Sequence, residues 1–520
     1  MSFSESLAAI VAENRNHLLG IHPSWKRIRL GDIADIQNGF PFASEQFSPS
    51  PPGMPLIRIR DILRNPTTTY FQGEYPPEFI VKAGALLVGM DGDFNSAVWH
   101  GEPALLNQRC CKVSLISNEY DHRLLAYCLP GYLAAINAHT SAITVKHLSS
   151  RTVSDIPLPL PPVGEQQRIA DTLDELFSDL DAGVAALERV RAKLKHYRAA
   201  VLKAAVEGAL TANWREQHPD TESAAAQLAR ILTERRRRWE EAQLAKFQAA
   251  GKCPPKDWQA KYKEPVGPKL DGSPLSQGWC WATADQLCTL INDGEHIQPS
   301  YQPVGFPMLT AKHVRDGFVE FRNVEFIGKS DFDACLRRCA PEENDVLIVS
   351  VGATTGRAAI VGRCDPFAIV RSVLLLKPIV SARYLLRWIQ SPWCQTYISR
   401  ASGSSAQAHL YIADTKSIPV PLPPLEEQEA IVAAVEDQLS VIEHLEGDLE
   451  AKLKSAQALR RTVLRHAFTG QLVPQDPNDE PASKLLIRIA AERDERARQA
   501  TGAKLVKRKP QTWRRRAAKN

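Results

Sequence analysis

Residues Ile156–Leu173, IPLPLPPVGEQQRIADTL, return as Ile418–Val435, IPVPLPPLEEQEAIVAAV, after 418 − 156 = 262 positions. Aligned at that offset without a gap, residues 156–211 and 418–473 are identical at 18 of 56 positions. Among these are Pro157/Pro419, Pro161/Pro423, Pro162/Pro424, Glu165/Glu427, Gln166/Gln428, Ile169/Ile431, Arg198/Arg460 and Gly208/Gly470. The offset reaches back to His147/His409 and Leu148/Leu410, and LARILTER (228–235) is echoed at an offset of 258 by LIRIAAER (486–493). A repeat unit of about half the chain restricts the fold to two similar halves.

Proline has no backbone donor and a fixed φ, so the PLPLPP strip excludes helix interior and central strand and predicts an extended connector. Glu165 and Gln166 then open a helix, with acidic charge in the first turn favoured by the helix dipole. Apolar residues recur three or four apart, at Ile169, Leu173, Leu176, Leu180, Leu187 and Leu194 in the first copy and at Ile431, Val435, Leu439, Ile442, Leu449 and Leu453 in the second. Gly208 and Gly470 stand where the helices should end. Each helix is predicted at about 40 residues, or about 60 Å. One apolar stripe of that length needs a partner of equal length, so the two copies are expected to pack on each other, antiparallel under a pseudo-twofold repeat. The organisation read from the chain is an N-terminal helix (1–19), a globular segment (20–155), strip and central spacer helix (156–211) and a helical, basic connector (212–273). A second globular segment (274–417), strip and distal spacer helix (418–475) and a C-terminal helix with basic tail (476–520) follow.

With 44% hydrophobic and 24% charged residues the composition is that of a globular chain. No apolar run approaches the roughly 20 residues that span a bilayer, and the first residues lack the basic start and apolar core of a secretory signal. The expectation is a cytoplasmic protein without a membrane span, with Ser4–Leu18 forming a short amphipathic helix. Ten cysteines in no secreted framework read as reduced, mostly buried thiols. Cys335 and Cys339 come nearest to a metal pair but lack a neighbouring His or second Cys pair, so no metal is expected. A net charge of +5 identifies no polyanion binder. RRRRWEEAQLAK from Arg235 and KLVKRKPQTWRRRAAKN at the C-terminus concentrate positive charge, either as local fields or as a solvated helix face and a free tail.

The two globular segments are rich in short β-branched runs punctuated by Gly and Pro. MPLIRIRDI (54–62) and FPMLTAKHV (306–314) share an outline, an apolar strand leaving into a polar, basic turn. AGALLVGMDGDFNSAVW and ENDVLIVSVGATTGRAAIV share a buried strand ending in a glycine turn. Similar outline with little identity implies one fold presenting two surfaces. Catalytic signatures are missing: GATTGRAAIVGR lacks the Gly-Lys-Ser/Thr of a phosphate loop and reads as strand-turn-strand, and there is no Gly-x-Ser-x-Gly, His-Glu-x-x-His or Cys-x-x-Cys. NPTTTY at Asn65 lacks the second proline and the aromatic placement of an amino-methylation strip.

The twice-repeated IPLPLPPVGEQQRI and IPVPLPPLEEQEAI, the long helices after them, the endings AAVEGAL and HAFTGQL, and GDIADIQNGFPF (31–42) with KHLSSRTVSDI (146–156) together resemble the DNA-specificity subunits of type I restriction-modification systems. The resemblance covers nearly the whole chain. It implies a mixed α/β (α+β) fold, with two target-recognition domains separated by two long antiparallel coiled-coil helices. It also implies a non-catalytic subunit whose domains each read one half of a split target in double-stranded DNA, the helices setting the spacing. The implied partners are two modification subunits, which bind S-adenosylmethionine and methylate adenine, and restriction (motor-nuclease) subunits using ATP and Mg; none of these cofactors is expected on this chain. Base reading and phosphate contact need Arg, Lys, Asn, Gln or His on loops. By position the candidates are Arg58, Arg60 and Lys146 in the first domain and Lys312, His313, Arg315, Arg357 and His409 in the second. The stretch from Trp214 to Leu270 and the tail after Arg496 exceed what such a subunit requires, as docking surface, phosphate contact or ornament. The rival readings are a coiled-coil protein-binding scaffold, a degenerate enzyme, and a specificity subunit serving a modification-only complex.

Overall fold

The computed structural model describes residues 6–64, 67–140, 146–269, 274–296, 299–403 and 408–507, with side chains as far as 499; the basic tail beyond 507 lies outside them. The chain forms two compact units, residues 1–187 with 451–520, and residues 188–450. The boundaries fall inside the two long helices, Val163–Val206 and Leu425–Phe468, each of 44 residues. Each unit therefore holds one globular segment, the start of one long helix and the end of the other.

In the first unit four antiparallel strands run in the order Ala34–Asn38, Cys110–Leu115, Leu86–Gly89, Asn95–Val98. The second unit repeats that order with Cys288–Asp293, Val373–Pro378, Val346–Val349 and Ala358–Ile360. Leu86–Gly89 and Val346–Val349 are buried along their whole length, which explains their unbroken apolar runs. The GATTGR segment is the turn between Val346–Val349 and Ala358–Ile360, a strand-turn-strand as its sequence reads. A second sheet in each unit, of five strands in the first and four in the second, contains one parallel pair, Met54–Ile57 with Ala104–Leu106 and Phe306–Leu309 with Ala368–Ile369. Gly39 and Gly294 follow the first main-sheet strands, where a Cβ would lie 2.0 Å from the Asn107 carbonyl oxygen and 2.1 Å from that of Ile369. Only glycine fits so close to a neighbouring backbone.

The proline strips are strands rather than free connectors. Pro157–Leu160 pairs antiparallel with Lys26–Arg29, and Pro419–Leu422 with Cys280–Thr283, in two-stranded ribbons. The pairing of Leu30 N with Ile156 O (2.9 Å), and of Ala284 N with Ile418 O (2.9 Å), sets the register. Leucine or valine then falls on the hydrogen-bonded positions, while Pro157, Pro159, Pro419 and Pro421 fall on the alternate ones, where no ladder donor is needed. The freed carbonyls are used: Tyr120 Oη donates to Pro159 O (2.9 Å), and buried Tyr384 donates to Pro421 O.

The repeated Glu-Gln pair does more than favour a dipole, for all four side chains are buried. Glu165 accepts from Trp25 Nε1 (2.8 Å) and from the Gln475 amide, joining the entry strand, the first long helix and the segment after the second. Glu427 accepts from Trp279 Nε1 (2.8 Å), Thr211 Oγ1 (2.6 Å) and the Arg215 guanidinium, the same junction in the second unit. Gln166 accepts from Asp121 N (2.8 Å) and donates to Pro161 O (2.9 Å); Gln428 accepts from Ser381 N (3.1 Å) and donates to Pro423 O (3.0 Å). Burial pushes the Glu165 carboxyl above its ordinary range, partly offset by the Trp25 and Gln475 bonds.

Within each unit the long helices pack antiparallel. In the first, Arg460 covers the Phe177 ring and reaches Asp181 (2.5 Å), while Ile169, Leu173, Ala467 and Phe468 share one core. In the second, Arg198 meets Glu446 (3.1 Å) and Tyr197 Oη donates to Gln438 (2.8 Å), with Leu194, Ile431, Val435, Leu439, Ile442 and Leu449 buried. Leu180, Leu187 and Leu453 are half-buried. Leu176, placed on the packing stripe by spacing, is instead 40% exposed. The inward position is Phe177, four residues after Leu173, so the core follows the i+4 row and leaves the i+3 leucine outside. The helices stop at Gly208 (φ 74°) and Gly470 (φ 69°).

One further expectation is corrected, and one reading left open between two alternatives is decided. The N-terminal helix spans only Leu7–Glu13, because Asn14 turns left-handed and its side chain accepts from Leu19 N (2.8 Å). The four arginines from Arg235 are not a bare positive field: Arg235 pairs with Asp285 (3.6 Å), Arg236 with Glu240 (3.2 Å), and Arg237 and Arg238 share Glu234 (2.6 and 2.7 Å). Hydrogen bonds from Arg237 and Arg238 hold the Glu234 carboxyl down at about 2. The extra residues after this helix fold back on it, stacking Trp258 on Trp239 at 5.9 Å and setting Tyr262 against Trp239 at 5.3 Å. Cys335 and Cys339 are buried, and the Cys339 thiol donates to Asp293 O (3.2 Å).

Replacing Glu427 with Ala leaves Trp279 Nε1 and Arg215 facing a buried gap. Breaking one side of a buried ion pair costs about 3–5 kcal/mol. The expected outcome in urea unfolding followed by tryptophan fluorescence is a loss of that size, with Glu427→Gln retaining part of the stability. Equal midpoints for wild type and Glu427→Ala would remove the junction's assigned weight.

Candidate nucleic-acid interface

The candidates gather at two places in each unit. Arg58 caps, and Arg60 lies within, one helical turn (Ile59–Asp61) after Met54–Ile57, closed by buried Asp61, which accepts from Arg58 N (3.0 Å) and Thr67 Oγ1 (3.1 Å). The Arg60 side chain is 60% exposed, with Nε 3.9 Å from Asp61 Oδ1, and Arg58 is half-buried. Lys146 lies elsewhere, in the chain that returns beside the Met90–Gly92 turn, where Gly92 N donates to Lys146 O (2.9 Å) and Leu148 N to Met90 O (2.6 Å). Its ammonium donates to the Asn137 carbonyl (2.6 Å), at the end of helix His122–Ala138.

The second unit repeats both places. Lys312, His313 and Arg315 belong to the turn after Phe306–Leu309; Lys312 is exposed, and Arg315 pairs with Glu320 (2.6 Å). His313 is not a surface group: it is 2% exposed, its Nδ1 accepts from Thr310 N (3.0 Å), and its Nε2 faces Asn323 O (3.4 Å). Its part is to close the turn. Arg357 and His409 both lie at the other place, beside the turn that leaves Val346–Val349. Val349 N donates to the Arg357 carbonyl (2.8 Å), His409 bridges Val351, and the His409 ring lies 4.1 Å from that of Tyr411, which is 60% exposed.

Arg109 escaped the sequence reading. Its guanidinium is held by Asp91 (3.2 Å), whose other oxygen meets His147 Nδ1 (2.5 Å) beside Lys146. Nothing in NQRCCK marks that arginine, because its neighbours arrive from positions 91 and 147 only through the fold. The repeat did mark His147 and His409, which both bridge the turn leaving a buried central strand, at Asp91 and Val351.

The family described as "Type I restriction modification DNA specificity domain" matches twice, over residues 23–189 and 296–455, each match taking in globular segment and helix start. This chain belongs to that family. It is 36% identical over 520 residues to the type I restriction enzyme EcoBI specificity subunit of Escherichia coli, with 98% of this chain and 100% of the relative covered. The EcoKI specificity subunit of Escherichia coli strain K12 is 25% identical, over 73% of this chain and 72% of its own. A solved chain from a study of complex assembly and conformational transition of the type I R-M system superposes with a TM-score of 0.50 at 19% identity. The superposition covers 87% of this chain and 99% of the other, and shows a shared fold. Among the described residues no helix is long and apolar enough to cross a membrane.

The two turns respond to pH in opposite directions. Burial holds the His313 imidazole below its ordinary value, Lys312 and Arg315 adding to the cost of charging it, Asn323 O and Glu320 opposing. The unfolded chain therefore takes the proton first, and the turn is at full stability above about pH 6.5 and loses it as pH falls. Burial pushes the Asp61 carboxyl up, so its contribution is full at low pH and is lost as pH rises. Hydrogen exchange from pH 7.5 to 5.5, corrected for intrinsic rates, is expected to show falling protection in 306–316 but not in 54–64. His313→Asn should flatten the response; the same slope in that variant would count against His313.

Proposed function

We propose that the chain is the sequence-reading subunit of a type I restriction-modification complex, without catalysis of its own, confined to the cytoplasm where its DNA is. Each recognition domain reads one half of a split sequence in double-stranded DNA, and the length of the long helices sets the gap between the halves. Two modification subunits, binding S-adenosylmethionine, methylate adenine at the site so chosen; motor-nuclease subunits using ATP and Mg add restriction. The observation that supports this reading best is the double family match, each over a domain built on the same strand order but presenting different side chains. Docking of the modification subunits is assigned to apolar side chains the long helices leave exposed, Leu176 and Leu459 in the first unit and Val190, Tyr197, Val441 and Leu445 in the second. Such patches commonly mark protein contacts.

Co-expression with the modification subunit, followed by sequencing of adenine methylation on host DNA, is expected to give one bipartite motif with a fixed gap. Four residues inserted into each long helix add about 6 Å and should lengthen that gap by one or two base pairs without changing either half. An assembled complex that binds S-adenosylmethionine yet leaves no motif would overturn the recognition role, and a motif with an unaltered gap would overturn the ruler.

A further inference from the structure

The parallel strand pairs fix the register between the two domains that MPLIRIRDI (54–62) and FPMLTAKHV (306–314) share only in outline. Ile57 pairs with Leu106 and Leu309 with Ile369. Leu106 O then accepts from Phe40 N (2.9 Å), as Ile369 O accepts from Glu295 N (2.9 Å), so Ile57 and Leu309 are one position. Counting on, Arg58 matches Thr310, Arg60 matches Lys312 and Asp61 matches His313. The hydrogen bonds agree: Asp61 N donates to Arg58 O (2.8 Å) and His313 N to Thr310 O (2.9 Å). In return the Asp61 carboxylate accepts from Arg58 N and the His313 imidazole from Thr310 N, both at 3.0 Å. Buried Ile62 and Val314 anchor the far side of both turns.

We propose that positions 60 and 312 are a single phosphate-contact position common to both domains, filled by Arg60 and Lys312, with Asp61 and His313 as the positioning residues that aim it. The assignment rests on the DNA-recognition reading above. Two domains that read different half-sites should differ where they meet bases and agree where they meet the backbone common to all DNA. Around this turn the chemistry differs at Arg58 against Thr310, Leu63 against Arg315 and Arg64 against Asp316. It agrees at Arg60 and Lys312, which are both exposed and both cationic. Lys312 has no side-chain partner among the described residues, and Arg60 reaches only Asp61, at 3.9 Å. The closing residue has changed from a carboxylate to an imidazole while the bond it makes has kept its length. What has been held constant is the aim of the turn, not the residue that holds it.

The test measures binding of the full chain, assembled with its modification partner, to two duplexes over a range of salt. One duplex carries the bipartite site defined by methylation and the other has both halves scrambled. Arg60→Ala and Lys312→Ala are each expected to weaken both duplexes by the same factor and to lower the slope of log affinity against log salt by about 1, the pair together by about 2. Lys312→Arg should keep the wild-type slope. His313→Leu should match Lys312→Ala, and His313→Asn, whose amide oxygen can accept from Thr310 N, should restore the slope; if His313→Leu fails to fold, the Arg60 and Lys312 variants decide alone. A wild-type slope in those two alanine variants, or relaxation of one base of the methylation motif, would overturn the assignment while leaving DNA recognition in place. Salt-insensitive binding by the wild-type complex would overturn both.

Discussion

A carboxylate buried at the start of a long helix is the constraint on which each half of this chain depends. Glu165 and Glu427 are fully enclosed, and an enclosed carboxylate is tolerated only when its oxygens are met by well-placed donors. The donors come from segments far apart in the chain: Trp25 and Gln475 for one, Trp279, Thr211 and Arg215 for the other. Meeting that demand brings together the strand that enters the globular domain, the helix that leaves it, and the tail of the opposite helix. The adjacent glutamine extends the junction to the helix cap at Asp121 or Ser381. The dipeptide recurs because each unit must solve the same problem of joining three segments at one point.

Around that junction the repeat reveals which features are frame and which are surface. Strand order, ribbon register, the glycine at the first strand's end and the turn after the parallel strand are duplicated in geometry, although most of their side chains are not. Asp61 and His313 show how far this goes, since groups of different charge make the same bond from the same place. A frame defined by backbone geometry lets neighbouring outward residues change independently. A subunit with two different half-sites to read needs that freedom.

Much of the frame was legible in the sequence because it is written in periodic or repeated residues: the offset of 262, the helical stripes, the terminal glycines and the buried strands. The proline strip was read as a connector because proline's missing donor argues against a sheet, and the alternation that spares every second position becomes visible only with a partner strand. Leu176 was misplaced because spacings of three and four serve equally well in a sequence, and packing alone chose Phe177. The candidate site was less legible. A basic residue on a loop looks the same whether free, as Lys312 is among the described residues, or tied to an acid, as Arg315 and Arg109 are. His313 looked like a surface ligand because its burial depends on Thr310 and Asn323, which no motif connects to it.

The helices that follow the long ones complete the argument for a fixed frame. In the second unit Arg235, on the helix Ala224–Ala249, pairs with Asp285 in the short helix that begins the recognition domain. In the first unit Arg493, on the helix Ala482–Lys507, reaches Asp32 in the corresponding short helix at 3.5 Å, and Arg496 donates to the Asp32 carbonyl (3.3 Å). Arg235 and Arg493 end the echoed LARILTER and LIRIAAER segments, so that echo has a structural cause. Each recognition domain is thereby fastened twice, by its own long helix through the buried carboxylate and by the returning segment through an arginine. One fastening would leave a hinge, whereas two at separate points define an orientation. A domain that must present its loops to one face of a duplex, at a set distance from the next half-site, requires orientation as well as attachment.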